Sequence, residues 1–280
     1  MKRHVFLPLR FLILAVLCLN LSALTARAAD RDKLASFLNV TGFDVALDSL
    51  RLTASAAPLM LGAEPGQFGA QWTRLADRVF DTGVMRGMAL DILAQTLDDD
   101  MLSHAAAFYA SDLGQRLVEA ENASHMMEDD ELKQEEGRML VAAMVEAGSP
   151  RLETIKRMNN AIDSSGHSTR ALQEIQMRFL LAASAAGVIE LRLDEGELRA
   201  LMKTREGELT RTLAESGLAG AAYTYQSFSD EDLVEYAEAL ETPQMQKVYE
   251  LMNAVQYQIM ANRFERLAVE MADLQAEQDI

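Results

Sequence analysis

The sequence predicts an all-α fold, a duplicated helical bundle that ends in a long amphipathic helix. Aromatic residues make up only 6% of the 280 residues, whereas the helix-favouring residues Ala, Leu, Met and Glu are abundant. Five prolines and fifteen glycines are too few to supply the turns of an all-β chain. Apolar residues also recur at the helical spacings of three and four along most of the chain.

The segment 1–29 has the pattern of a cleaved secretory signal peptide. A basic start precedes a wholly apolar run at 11–19, and the small residues Ala26 and Ala28 stand where a signal peptidase reads the chain. The run is shorter than the roughly 20 apolar residues that a membrane-spanning helix needs. We therefore expect cleavage after Ala28 or Ala29 and no stable membrane anchor afterwards.

Export and charge together restrict the classes of partner. Cys18 is the only cysteine and leaves with the signal, so the mature chain has no disulfide and no thiolate. The net charge of −17 becomes −21 once the four basic residues of the signal are removed. Such a surface repels nucleic acid and anionic lipid and attracts cationic partners, although solubility alone also explains it. The predicted location is the periplasm of a Gram-negative bacterium.

The elements follow from apolar spacing and from helix-start and helix-stop residues. Ser111 and Ser149 are predicted N-caps, and Pro150 is the first residue of its helix. The charged stretch at 128–137 predicts a break or a solvent-exposed section. Ser, Gly and His at 164–169 mark a linker, which divides the mature chain into an N-terminal half at 30–164 and a C-terminal half at 165–280. The predicted helical segments are 30–40, 43–57, one with Trp72 and Leu75, one with Met85 and Ile92, 111–148, one that starts at Pro150, 171–192, 193–216 and 243–276.

The last segment is unusually long. After Pro243 it continues to 276 without a glycine or a further proline, which corresponds to about 50 Å at the rise of an α-helix. It is therefore either a spine that other helices cover or an arm that needs a second chain.

An internal duplication is the most specific feature. The segment 97–123 aligns with 228–254 without a gap and with seven identities. Each copy begins with acidic residues, which favour a helix N-terminus, and restarts at a Ser or Thr N-cap. We interpret the copies as two helix–turn–helix units, one in each half. The identical pairs are Asp99/Asp230, Leu102/Leu233, Ala106/Ala237, Gln115/Gln246, Glu119/Glu250, Asn122/Asn253 and Ala123/Ala254.

The polar identities form the candidate binding site. In each copy they occupy positions i, i+4 and i+7, so they share a helical stripe. One interpretation is a pair of matching polar surfaces on a groove between the copies. The other is hydrogen bonding that fixes the packing of neighbouring helices. The residues are Gln115, Glu119 and Asn122 in the first copy and Gln246, Glu250 and Asn253 in the second.

The segment from Phe108 to Gln115 resembles the Phe-Tyr-x-Ser/Thr-x-x-Gly signature of secreted bacterial proteins in the domain-of-unknown-function 2059 family. The segment around Thr242 and Pro243 resembles a second, degenerate version, with Met245 in place of the glycine. The resemblance implies an exported helical protein and supplies neither a reaction nor a ligand. Phe108 and Tyr109 join the candidate binding residues, since they either anchor a bound peptide or pack the turn between two helices.

The residue patterns predict no cofactor, no metal site and no catalytic residue. The mature histidines lie far apart and outside metal-binding spacings, and none of the common nucleophile or phosphate-binding motifs occurs. The expected function is a non-enzymatic module that binds an envelope protein or peptide, with a chaperone-like role as one form of it. The alternatives are a hydrolase whose carboxylates meet in a cleft between the copies and a structural homodimer built on the last helix.

Overall fold

The computed structural model describes residues 31–54, 57–61, 69–163 and 166–278. Every regular element in these ranges is a helix and none is a strand, which confirms the all-α prediction. The first helix, α1, occupies 31–40. The others are α2 (Phe43–Thr53), α3 (Ala57–Met60), α4 (Gly69–Val79), α5 (Thr82–Thr96), α6 (Asp99–Tyr109), α7 (Asp112–His125), α8 (Asp130–Glu146), α9 (Pro150–Ile162), α10 (Ser168–Ala185), α11 (Glu195–Thr204), α12 (Glu206–Thr224), α13 (Asp230–Leu240) and α14 (Pro243–Gln278).

Side-chain caps start several helices where the sequence predicts them. Ser111 Oγ accepts a hydrogen bond from the backbone N–H of Gly114, at 3.1 Å, and Ser149 caps α9 with Pro150 as its first residue. The predicted break in the charged stretch is confirmed, because α7 ends and α8 begins only after an interruption at 126–129.

Several predicted segments have different bounds in the structure. The segment predicted at 43–57 corresponds to α2, which ends at Thr53. The segment predicted at 171–192 ends at Ala185, because Gly187 adopts a left-handed φ of +78° that terminates a helix without steric cost. The segment predicted at 193–216 is divided at Arg205 into α11 and α12, and α12 continues to Thr224.

The long helix α14 is a packed spine. It is 36 residues long and contacts α4, α5, α6, α9, α10 and α13. The apolar positions that the helical spacing predicts are buried within this chain, so they do not need a second chain to cover them, whereas Val269 is 50% exposed. The buried positions are Met245, Val248, Met252, Val255, Ile259, Leu267 and Met271. Leu274 lies beyond the residues whose side chains are described.

One apolar core includes residues from both predicted halves of the chain. The helices cross between the halves, with α8 against α12, α9 against α13, and α6 against α14. Gly137 makes the closest of these contacts possible, because a Cβ atom there would lie 2.1 Å from the carbonyl oxygen of Ala219. The signal peptide and the predicted boundary at 164–165 lie outside the described residues, so the division into halves stays a prediction.

Length and hydropathy together decide whether a helix can span a membrane. Across the part of the chain that the structure describes, no helix combines the length and the apolar character needed to cross a bilayer.

Candidate functional site

A cavity of about 290 Å³ lies between α7 and α14, and α1, α2, α6, α9, α12 and α13 complete its walls. Three pairs of positions that correspond in the alignment of the two copies, or directly beyond it, face the cavity from opposite sides. The pairs are Glu121 with Met252, Asn122 with Asn253, and His125 with Gln256. The corresponding stretches of the two predicted copies therefore meet at one site.

The turn between α1 and α2 closes one wall of the cavity. Gly42 precedes α2 with a left-handed φ of +70°, a conformation that glycine adopts without steric penalty. A Cβ atom at this position would lie 2.5 Å from Oδ1 of Asn122. The left-handed turn therefore favours glycine, and a larger residue would also displace the Asn122 side chain.

Four tyrosines surround Glu121 in the deeper part of the cavity. We call Tyr109, Tyr225, Tyr236 and Tyr249 the tyrosine cluster. Tyr225 and Tyr236 both donate to Oε1 of Glu121, at 2.7 and 2.8 Å. Tyr109 and Tyr249 each lie 3.1 Å from the hydroxyl of Tyr236 and are hydrogen-bonded to each other. The hydroxyl groups thus form one network that ends on a single carboxylate oxygen.

The elements that carry the tyrosine cluster lie far apart in the sequence. Tyr109 ends α6, Tyr225 follows α12, Tyr236 lies in the middle of α13 and Tyr249 lies in the second turn of α14. Phe108 stacks on Tyr236 with ring centroids 5.7 Å apart and planes 7° apart, which fixes the Tyr236 ring from behind.

The environment favours a protonated Glu121 more than water does. The side chain touches the cavity, but protein surrounds it elsewhere, and this loss of hydration raises its pKa. The hydrogen bonds from Tyr225 and Tyr236 oppose the effect, because they stabilise the charged form. Burial, together with the negative charge of Glu121, raises the pKa of each tyrosine in the cluster. The tyrosines therefore remain neutral hydrogen-bond donors at pH 7.

Within the part of the chain that the structure describes, no positive side chain forms an ion pair with Glu121. Among the described residues that line the cavity there is no Lys or Arg, and Glu121 is the single carboxylate. His125 lies at the rim and keeps contact with solvent. Loss of hydration and the nearby charge of Lys133 lower its pKa, which favours the neutral imidazole at pH 7.

Three of the predicted binding residues meet at the cavity. They are Tyr109, Asn122 and Asn253. The Oδ1 atom of Asn122 is buried and has no hydrogen-bond partner within the described ranges. Nδ2 of Asn253 donates to the carbonyl oxygen of Ile162 at 3.0 Å, so this asparagine also holds α9 against α14.

The other five predicted residues lie elsewhere. Phe108 packs behind the tyrosine cluster, and Nε2 of Gln115 donates to the carbonyl oxygen of Tyr109 at 2.6 Å, as the packing interpretation expects. Glu119 is exposed, Gln246 is half-buried away from the cavity lining, and Glu250 forms an ion pair with Lys247 at 2.8 Å. The stripe that faces the cavity therefore contains 121, 122 and 125 rather than 115, 119 and 122.

Sequence reasoning missed Glu121, Tyr225, Tyr236 and Tyr249. The predicted polar residues are those that are identical in the two copies. Glu121 was not among them because it corresponds to Met252, and the tyrosines were not because they have no tyrosine counterpart. One signal was available. Five of the six tyrosines lie within 223–257, although aromatic residues are scarce elsewhere in the chain.

A second cavity of about 320 Å³ lies on the other side of α14, against α10 and the end of α9. Its lining includes His167, Glu250 and Tyr257, and Tyr257 donates to Oγ of Ser168 at 2.8 Å. Ile162 and Asn253 line both cavities. The two spaces are therefore separated by a wall that these residues share.

One family model matches part of the chain. Residues 84–143 match the sequence model of DUF2059, described as an uncharacterized protein conserved in bacteria. No curated protein and no solved structure matches the chain. The matched range begins in α5, ends in α8, and includes the first copy with its Phe-Tyr-x-Ser motif, but not the second copy. Residues 84–143, with one wall of the cavity, thus carry the similarity to the DUF2059 family.

Proposed function

We propose that this protein is a non-enzymatic binding module of the bacterial cell envelope, which admits one side chain of a protein or peptide partner into the cavity between α7 and α14. The observation that carries the proposal is the meeting of three corresponding pairs of positions around one space. A volume of about 290 Å³ lies at the lower end for small-ligand sites. It therefore suits a side chain rather than a folded element.

The second copy of the DUF2059 unit is part of this proposal. The first helices of the two units begin and end at positions that correspond in the alignment of the copies. They are α6 (Asp99–Tyr109) and α13 (Asp230–Leu240). The second helices, α7 and α14, begin at Asp112 and Pro243, which also correspond. A shared helix–turn–helix geometry supports common descent of the two units, and it accounts for equivalent positions on both walls of the cavity.

Export from the cytoplasm rests on the signal-peptide pattern of the segment 1–29. The mass of the protein recovered from a periplasmic fraction tests it. We expect a chain that begins at Ala29 or Asp30, and an intact chain that begins at Met1 would contradict export with cleavage.

The structure gives the alternative functions less support than the binding module. A carboxylate hydrolase needs two acidic groups near each other, and Glu121 is the single acidic residue in the described lining of the cavity. A homodimer built on α14 needs an exposed apolar stripe. The predicted apolar positions of α14 between Met245 and Met271 are buried within the chain, and Val269 alone, at 50% exposure, is not a stripe. Several methionines, including Met85, Met158 and Met177, are likewise buried in the core rather than on a groove.

A cavity-filling substitution tests the proposed site. Ala221 lies in the cavity wall, so Ala221→Phe would occupy the space without removing any polar group. Ala142→Phe is the matched control, because Ala142 is exposed on α8. Each variant and the unmodified protein would be used to capture binding partners from a periplasmic extract, with quantitative mass spectrometry.

We expect at least one partner to be captured in equal amount by the unmodified protein and by Ala142→Phe. The amount of that partner captured by Ala221→Phe should be more than tenfold lower. Thermal unfolding of each variant would verify that it is folded. An identical partner list for the three proteins would show that the cavity is not the binding site.

A further inference from the structure

We infer that the cavity recognises an alkylammonium group, with Oε2 of Glu121 as the acceptor. This inference rests on the proposed function, because it names the chemistry of the group that enters the cavity. It concerns an amine nitrogen with its positive charge and an attached apolar body, and it follows from three features of the cavity lining.

The first feature is an unused acceptor. Oε1 of Glu121 already accepts two hydrogen bonds, from Tyr225 and Tyr236. A tyrosine hydroxyl has one proton to donate, so these two donors are fully used. The hydroxyls of Tyr109 and Tyr249 are engaged with each other and with Tyr236. No donor in the tyrosine cluster is left for Oε2, and no described residue donates to it, so this oxygen can accept a hydrogen bond from a group inside the cavity.

The second feature is the uncompensated charge. Glu121 forms no ion pair among the described residues, and neither Lys nor Arg lines the cavity in that part of the chain. Removing a carboxylate from water is costly unless a positive group accompanies it. A primary ammonium supplies the charge together with three donors and no acceptor. It therefore fits Oε2 better than a hydroxyl or a carboxylate does.

The third feature is the chemistry of the remaining walls. Phe37, Phe43, Val248 and Met252 contribute apolar surface to the same cavity as Glu121. The cavity volume of about 290 Å³ is several times the roughly 30 Å³ that a water molecule occupies in the liquid. A bare inorganic cation would leave most of this space unfilled. An amine with a hydrocarbon body can place its ammonium group at Glu121 and fill the space beside the apolar residues.

Asn122, the next residue in the chain, also lines the cavity. Its Oδ1 is buried against the turn at Gly42 and lacks a partner within the described ranges. An unsatisfied buried acceptor costs about 1–3 kcal/mol. We assign the ammonium group to Glu121 and not to this oxygen, because Oδ1 of Asn122 is buried at the wall.

Three probes of nearly the same shape separate charge from apolar fit. They are 2-phenylethylammonium, 2-phenylethanol and phenylacetate, which are positive, neutral and negative. Binding of each would be measured by isothermal titration calorimetry at pH 7 and constant ionic strength, with the full mature chain. We expect the ammonium probe to bind at least tenfold more tightly than the other two.

Glu121→Gln removes the charge and keeps an oxygen that can accept from Tyr225 and Tyr236. Its matched control is Glu119→Gln, the same change on the exposed face of α7. We expect Glu121→Gln to weaken binding of the ammonium probe by about 10- to 100-fold, the range for a hydrogen bond to a charged group. Glu119→Gln should change it less than twofold.

Two capped tripeptides distinguish the sources of the ammonium group. One is Gly-Lys-Gly, and the other replaces the lysine with uncharged norleucine. Preferential binding of the lysine peptide, lost in Glu121→Gln, would assign the site to a basic side chain of a partner. Binding of the small ammonium probe alone would assign it to a free amine, and both results support the inference.

Equal binding of 2-phenylethanol and 2-phenylethylammonium would overturn the inference and leave the cavity as a neutral binding site. Absence of binding by every probe would also overturn it. The proposed function would fall separately, if partner capture by Ala221→Phe equalled that of the unmodified protein.

Discussion

The two helix–turn–helix segments, α6–α7 and α13–α14, have helix starts that correspond in the alignment and differ in the side chains they place around the cavity. Ser111 and Thr242 cap the second helix of each unit, with oxygen–nitrogen distances of 3.1 and 3.3 Å. Three positions later the first unit has Gly114 and the second has Met245. The corresponding cavity positions are Glu121, a carboxylate, and Met252, a thioether.

This comparison separates what the two units have in common from what they do not. Both begin the second helix with a capping hydroxyl, from Ser111 or Thr242, which satisfies a backbone N–H at the helix start. The side chains about three turns later differ and determine what the helix presents to the cavity. One unit supplies the polar wall of the cavity and the other the more apolar wall.

The largest expected effect is that of Met245→Ala. Met245 is fully buried at the start of α14, and truncation would leave an apolar hole that costs about 2–5 kcal/mol of unfolding free energy. Urea denaturation would measure it. Met139→Ala is the control, because Met139 is 60% exposed, and its effect should stay within about 0.5 kcal/mol. Equal effects would mean that Met245 does not pack the turn of the second unit.

The corresponding change in the first unit is Gly114→Ala. Its Cβ would lie 2.2 Å from the carbonyl oxygen of Phe108 and 2.6 Å from Cα of Tyr109. These are backbone atoms that cannot move aside without opening the turn, so we expect a loss of about 3 kcal/mol, the upper end for overpacking. Gly87→Ala in α5 meets nothing within 4 Å and should be neutral or stabilising by up to about 1 kcal/mol. A neutral Gly114→Ala would contradict the close approach.

The caps should have smaller and unequal effects. Ser111→Ala should cost about 1 kcal/mol, the usual value for loss of an N-cap. Thr242→Ala should cost more, because Thr242 Oγ1 also lies 3.2 Å from Nε2 of His104. Thr242→Ser keeps the hydroxyl and should recover most of the loss. Identical values for Ser111→Ala and Thr242→Ala in thermal or urea unfolding would show that the histidine contact adds nothing.

Glu121→Gln should have the smallest effect on stability. Unlike the destabilising substitutions above, it should stabilise the protein at pH 7. Burial raises the pKa of Glu121 in the folded state, so the folded protein holds its proton more tightly than the unfolded chain. Ionisation therefore reduces stability as pH rises from the unfolded pKa of about 4.3 through the folded pKa.

Glu121→Gln avoids this ionisation. We expect it to raise the melting temperature at pH 7 relative to the unmodified protein, with a gain that shrinks as pH falls towards 4. For a chain of this size, each 1 kcal/mol corresponds to about 2–4 °C. Glu119→Gln provides the control for the general removal of one negative charge. A gain that is the same at pH 4 and pH 7 would rule out burial of Glu121 as its cause.

The sequence was sufficient for the features that depend on local chemistry. Helix periodicity, the caps at Ser111 and Ser149 and the length of the last helix all follow from neighbouring residues. The alignment of the two copies also predicted that Asn122 and Asn253 belong to related surfaces, and both line the cavity.

The remainder of the candidate site depends on tertiary packing. Glu121 is surrounded by tyrosines from α6, α12, α13 and α14, which no local pattern connects. Of the predicted stripe on α7, Asn122 lines the cavity and Gln115 and Glu119 do not. Gln115 is instead drawn to the carbonyl oxygen of Tyr109, since the turn leaves that group without a helical partner.

The wall shared by the two cavities has a thermodynamic consequence. Asn253 and Ile162 line both spaces and are joined by a hydrogen bond of 3.0 Å. An occupant of one cavity that displaces this pair also alters the shape of the other. If a ligand in the first cavity changes the affinity of the second cavity for its ligand by some factor, the effect is reciprocal. A ligand in the second cavity must then change the affinity of the first cavity for its ligand by the same factor.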